Sequence, residues 1–327
     1  MWIAILVFFI SYIAISTEKF PRHWTAMLGG SVLLLTGVLS PDEALTYINW
    51  ETIGLLAGMF TLVSILTEAG FFYWLAMTLL KKVNFHPGYL FVILILMAAF
   101  MAMFMDSITV MLFLSALTYQ LCRLLNLDPV SLIVAEVCAA NTGGAATLVG
   151  DPPNVILGTT LGFSFSDFVA NTGPLSVVAV FLLLAYFYIT NRKALKSAHS
   201  ALTPETIQEI EKLHNEPLHA HLTRVGLTGF LMAVVLLVFH LPLSHFSGLP
   251  INAAVAAMVP AGAALIALKD NQVKKVILKV DGESILFFGG LFLLIGGLEK
   301  VQLFEMLAEH MATLALNSPS LFISTLH

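Results

Sequence analysis

Asn141-Thr142-Gly143-Gly144-Ala145-Ala146-Thr147-Leu148-Val149-Gly150-Asp151-Pro152-Pro153-Asn154 interrupts a chain that is otherwise rich in apolar runs. An apolar segment of helical length (130–140) leads into it, and apolar character resumes beyond it to about residue 165. Three glycines, a carboxylate and paired prolines cannot continue one unbroken helix. In hydrocarbon, unwound backbone persists only where protein or a water-filled cavity satisfies its polar groups. The stretch therefore specifies a broken helix over about 130–165, and its surroundings put that break at membrane depth.

Of 327 residues, 58% are hydrophobic and 11% charged, with a mean hydropathy of +0.92. Soluble domains carry roughly 25% charged residues, so a soluble fold would lack the polar coat it needs. A spanning helix takes about 20 apolar residues. Such segments fall near 2–17, 24–40, 52–70, 172–190, 225–241, 250–268 and 283–299. Charges such as Lys19, Arg22, Asp42, Arg192 and Lys269 sit in the separators. The first segment lacks a basic leader and a small-residue cleavage site, so it reads as a mature helix and not a signal peptide. The net charge of -5 and the scattered basic residues give no nucleic-acid-binding patch. Cys122 and Cys138 are too few for a disulfide framework or a metal cluster, and no cofactor is expected.

Just before the break, two apolar runs (88–105 and 108–121) meet at Asp106-Ser107. Basic residues favour the cytoplasmic side. With Lys19 and Arg22 inside, the segments 2–17, 24–40 and 52–70 run inward, outward and inward. The pair spanning 88–124 then starts at Lys81-Lys82 and ends at Arg123, both inside. It either crosses twice or forms a re-entrant hairpin with Asp106 at its tip. Segment 172–190 returns to Arg192-Lys193-Lys196, again inside.

The chain also repeats itself. Glu51, Ile53, Gly58 and Phe60 fall on Glu283, Ile285, Gly290 and Phe292 without a gap. The segments opening at Pro21 and Pro250 are both rich in small residues. Segment 52–70 runs inward while its counterpart 283–299 leaves the Lys269–Lys279 cluster outward, the pattern of inverted repeats in secondary transporters. This gives a first transmembrane repeat (1–190), a polar connection (191–224) and a partial second repeat (225–327). In that register Ile95 falls on His327, so the second repeat reads as incomplete; a short protein with degenerate repeats is the other reading. Within the connection, Thr203-Pro204-Glu205 has the form of a helix start, and Ile207, Ile210 and Leu213 give it an apolar stripe. It is either an amphipathic helix on the cytoplasmic membrane surface or a flexible link.

Ionisable groups inside membrane spans are costly and point to function. Asp106 and Asp151 are joined by oxygen-bearing Ser107, Thr109, Asn141, Thr142, Thr147 and Asn154. Sodium takes a shell of such oxygens together with carbonyls freed where a helix unwinds, and a carboxylate can instead take up a proton. Each aspartate is equally placed to cap a helix, a role compatible with holding an ion. Glu136 is a candidate proton relay or a hydrogen-bonded structural acid.

These residues resemble a known group. Asp106-Ser107-Ile108-Thr109-Val110, Leu127-Asp128-Pro129, Ala135-Glu136-Val137, the run Ala140–Thr147 and Gly150-Asp151-Pro152-Pro153-Asn154 are similar to the arsenite-permease and NhaD-type sodium/proton antiporter group. That group belongs to the ion-transporter superfamily, which includes citrate and dicarboxylate carriers. The resemblance implies inverted repeats, each with a re-entrant hairpin and a broken helix, and often a homodimer. It places the ion site on Asp106, Ser107, Thr109, Asn141, Thr142, Gly143, Thr147, Asp151 and Asn154. One departure is Asp106-Ser107, where the family usually has Asp-Asn.

The fold expected is thus an all-α integral membrane protein of the inverted-repeat transporter type, and its partners are the bilayer and a small ion. The function expected is secondary ion transport across the cell or inner membrane, with Na+/H+ antiport ahead of a sodium- or proton-coupled anion permease for arsenite, citrate or dicarboxylates. No enzymatic role is expected. An intramembrane aspartyl protease would need Gly-x-Gly-Asp, whereas the chain reads Leu148-Val149-Gly150-Asp151. A non-transporting receptor or assembly subunit would not need polar residues at a helix break.

Overall fold

The computed structural model describes residues 1–17, 19–200, 203, 205–208, 218–248 and 251–306. Among these every regular element is a helix: α1 (Trp2–Ser16), α2 (Arg22–Leu35), α3 (Pro41–Tyr47), α4 (Trp50–Glu68), α5 (Phe71–Lys82), α6 (Pro87–Ala102), α7 (Ser107–Leu124), α8 (Pro129–Gly144), α9 (Pro152–Leu161), α10 (Phe165–Ser200), α11 (Ala220–Ser247), α12 (Ala253–Ile266), α13 (Asp270–Lys279) and α14 (Gly282–Lys300). Five of them, α4, α7, α10, α11 and α14, are long and apolar enough to cross a membrane. In α10 only 17% of the most apolar window is buried, and Leu175, Phe181, Leu182 and Ile189 lie exposed. Such a surface fits lipid and not water. The protein is an all-α, multi-pass integral membrane protein.

Helix boundaries follow local chemistry. Ser40 and Glu43 form a reciprocal capping box at α3, and prolines open α6, α8 and α9 where their missing N–H costs nothing. Left-handed Asn84, Phe85 and Asn126 turn the chain between α5 and α6 and between α7 and α8. Short helices such as α3, α5 and the amphipathic α13 carry no spanning signal. Helix α10 runs on to Ser200, ten residues past the expected end of its apolar segment. Thr203 accepts from the Thr206 N–H at 3.3 Å, as a helix start should. Ile207 packs against the core, while Pro204, Ile210 and Leu213 lie outside the described residues.

The chain divides into two compact units, residues 1–53 with 281–327 and residues 54–280. In the first, α1, α2 and α14 enclose a core of Ala4, Ala26, Leu33, Leu39, Leu294 and Leu298. Close approaches pair Ala26 with Gly290, Gly30 with Leu293 and Leu33 with Gly297, so α2 and α14 run parallel. In the second, α5, α6, α7, α8 and α10 share one large core. Here Ala254 meets Gly54 and Ala257 meets Gly58, so α12 and α4 also run parallel. These two crossings match position for position. Ala26 and Ala257 are each the fifth residue of a 14-residue helix. Gly58 and Gly290 are each the ninth residue of a 19-residue helix. A Cβ at Gly58 would lie 2.6 Å from the Ala257 carbonyl carbon, and one at Gly290 would lie 2.5 Å from that of Ala26.

Candidate functional site

The site is built in the second unit, where the α6–α7 turn meets the gap between α8 and α9. Helix α6 ends at Ala102, and Met103–Met105 turn the chain so that Asp106 caps α7. The Asp106 carboxylate accepts from the Thr109 N–H at 3.4 Å and is 6% exposed. Helix α8 stops at Gly144, and Asp151 begins α9. The break thus spans 145–151, inside the stretch that the glycines and prolines mark.

Threonine and asparagine side chains hold the opened backbone. The Thr147 hydroxyl donates to the Met103 carbonyl and accepts from the Gly150 N–H at 3.1 Å. The break is thereby fastened to the hairpin turn. The Asn154 amide donates to the Gly144 and Thr147 carbonyls at 3.2 and 2.9 Å, bridging the two ends of the gap. Gly143 is required by close approach, because a Cβ there would collide with the Ala99 carbonyl of α6. The Thr142 hydroxyl donates to Cys138 O within its own helix at 2.7 Å, leaving its oxygen free to accept.

Asp151 occupies the N-cap position of α9 but makes no side-chain cap hydrogen bond. Its carboxylate instead lies over Gly144, where a Cβ would fall 2.5–2.7 Å from its three terminal atoms. It interacts with the Ser107 side chain and with the charge of Asp106. Two carboxylates from two different chain interruptions therefore act on one another. No Lys, Arg or His occurs between Arg123 and Arg192, and between Lys82 and Arg123 the only one is His86. Like charges in one partly buried site repel unless a cation or a proton compensates them.

From Ser107 a groove of 390 Å³ opens between α7 and α8, lined by Ile108, Met111, Ser115, Val137 and Asn141 among others. Asn141 is exposed in it. Of the residues expected at the site, Asp106, Ser107, Gly143, Thr147, Asp151 and Asn154 are linked to one another or to the turn by these contacts. Thr109 contributes its backbone N–H, and Asn141 lines the groove. Glu136 stands apart, bonded to Thr118 of α7. Thr118, Ser115 and the Met103 carbonyl carry no mark in the sequence, since nothing in a linear pattern pairs a mid-helix hydroxyl with a residue on the next helix.

A broken helix packed on a hairpin turn, with acids and hydroxyls at the junction of a lipid-exposed bundle, defines a membrane transporter. Comparison with known proteins narrows the class. Residues 12–326 match the model of the citrate transporter family CitMHS, and the chain belongs to that family, within the ion-transporter superfamily. The chain is 31% identical over 316 residues to a 46 kDa membrane protein of Mycobacterium leprae, covering 95% of this chain and 71% of that one. It is 29% identical over 311 residues to an uncharacterized transporter of Mycobacterium tuberculosis, covering 94% and 70%. It is also 37% identical over 194 residues to the human P protein, covering 56% of this chain and 23% of that one. The family description and the names of the mycobacterial relatives indicate a membrane transporter rather than an enzyme.

Proposed function

We propose that this chain carries the cation site of a secondary active transporter that exchanges Na+ for H+, with the ion held between the hairpin tip and the helix break. The observation that carries the reading is the Asp151 carboxylate, which is not spent on capping its own helix and interacts with Ser107 and Asp106. Sodium would take the two carboxylates, the Ser107 hydroxyl and freed carbonyls of 145–150, with Asn141, Thr142 and Asn154 offering further oxygens. Protonation of the same acids would release it, so that the two cations compete for one site. The likeness of residues 106–154 to NhaD-type antiporters supports this assignment.

A second reading, cation-coupled transport of a citrate-like carboxylate, is favoured by the family match. The start of α7 carries free N–H groups that suit an anion, and the bound cation would neutralise the aspartates beside it.

Proteoliposomes loaded with the protein test both. Sodium-dependent proton movement without added anion supports antiport; sodium- or proton-driven uptake of citrate, dicarboxylate or arsenite, with no anion-independent exchange, supports the second reading.

A further inference from the structure

Outside the ion site, the second unit holds one more acid deep in the bundle. Glu136 is completely buried on α8, and so is Thr118 on α7. The Thr118 hydroxyl donates to Glu136 Oε1 at 2.5 Å, while Oε2 has no hydrogen-bond partner among the described residues. Among the described residues Glu136 forms no ion pair. Helix α6 contains no Asp, Glu, Lys, Arg or His, and neither do residues 168–191 of α10, whose basic residues Arg192, Lys193 and Lys196 follow in its last turns. On α7 the titratable neighbour is the buried thiol of Cys122. Arg123 and Asp128, beyond it, are exposed, and Asp128 lies about 12 Å along the α8 axis at 1.5 Å per residue. An uncompensated buried carboxylate is strongly disfavoured, so Glu136 is held here as the neutral acid.

Glu136 lies close behind the groove. Thr118 lies one turn beyond Ser115, which lines the groove together with Ser107 and Asn141, and Ser107 interacts with Asp151. Ile133 and Val137, which flank Glu136 on α8, line the same groove, so the buried acid stands directly behind its wall. We propose that Glu136 is a proton-binding residue of the transport cycle, distinct from the ion site and set behind the groove that Ser107, Ser115 and Val137 line. When the O–H bond of Glu136 breaks, the electron pair stays on the carboxylate, which keeps the Thr118 hydrogen bond, and the proton passes to water admitted when the α7–α8 packing opens during the cycle. Reprotonation reverses the step.

This inference rests on the proton-coupled reading above, and the test separates the two. In proteoliposomes, the wild-type protein should catalyse both 22Na+ counterflow and sodium-driven proton flux. Glu136→Gln, which preserves shape and hydrogen bonding, should keep counterflow and lose proton flux at least tenfold. Wild-type proton flux and pH profile in that variant would overturn the proposal. If Glu136→Gln loses both activities, the Thr118 variants decide. Thr118→Val should displace the pH midpoint of flux by about one unit, the scale of one hydrogen bond to a charged group, and Thr118→Ser should restore it; an unmoved midpoint overturns the proposal. Absence of sodium counterflow in the wild type would strike the antiport reading instead. Glu136 would then be judged on citrate, with Glu136→Gln required to spare citrate counterflow while losing proton-driven uptake, and an unaffected uptake counting against it.

Discussion

Asp151 sits at an N-cap without capping, and that distinction separates its two possible roles. A carboxylate whose work was to start α9 would accept an N–H of the first turn, as Asp106 does from Thr109. Asp151 lies over Gly144 instead. Asp151→Asn should therefore leave the fold intact and remove the charge that binds the cation. A unit charge at about 4 Å and an effective dielectric near 20 is worth about 4 kcal/mol, or roughly a thousandfold in ion affinity. Flux titrated against sodium checks this, and wild-type affinity would remove Asp151 from the mechanism. Asp106→Asn keeps a competent cap, so stability should hold while the apparent sodium affinity or the pH profile moves; an unchanged profile would reduce Asp106 to a capping residue. Both aspartates are visible in the sequence as ionisable residues at interruptions of apolar runs. What the sequence could not say is which of the two is spent on its own helix, because both precede a plausible first turn.

At the scale of elements, the break is held open by particular hydrogen bonds as much as by its glycines and prolines. Thr147 satisfies a carbonyl of the hairpin turn and an N–H of the break at once. Thr147→Val would leave both groups unpaired in a buried site, at a cost of about 1–3 kcal/mol each. Thermal unfolding in detergent should show the loss, with Thr147→Ser restoring most of it; an unchanged midpoint would mean that water takes over both bonds. A different element reports through pH. Glu43 of α3 is held down from 4.5 to about 2, first by the Lys300 ammonium and then by the Ser40 backbone N–H and hydroxyl. With its folded value depressed, Glu43 contributes stability at neutral pH that fades as pH falls from about 4.5 towards 2. Glu43→Gln should remove that part of the acid sensitivity, read as a flatter dependence of the unfolding midpoint on pH below 5. The hairpin and the break were legible because glycine pairs, proline pairs and intramembrane acids are rare in spanning helices. Helices α5 and α13 were not, since short amphipathic segments lack both the length and the uniform hydropathy that mark a span.

Across the whole molecule, one helix crossing is built twice, and the sequence shows only half of the reason. The match of Gly58 with Gly290 was readable because Glu, Ile and Phe recur around both. Their partners were not, since Ala26 and Ala257 stand among many small residues whose register no identity fixes. In the fold each glycine brings its helix against the same position of an alanine-bearing partner. If the repeat is real, the two positions should respond alike to the same change. Gly58→Ala and Gly290→Ala each push a methyl to within 2.6 Å of partner backbone, and overpacking of this kind costs about 1–3 kcal/mol. The neighbouring Gly289 has nothing within 4 Å of its would-be Cβ. There Gly289→Ala removes only the flexibility of a helical glycine and should stabilise by up to about 1 kcal/mol. Unfolding midpoints of the three variants in one detergent should fall, fall and hold or rise. A fall at Gly289 equal to that at Gly290 would show that the helix resists any added methyl, and the matched crossings would lose their energetic meaning.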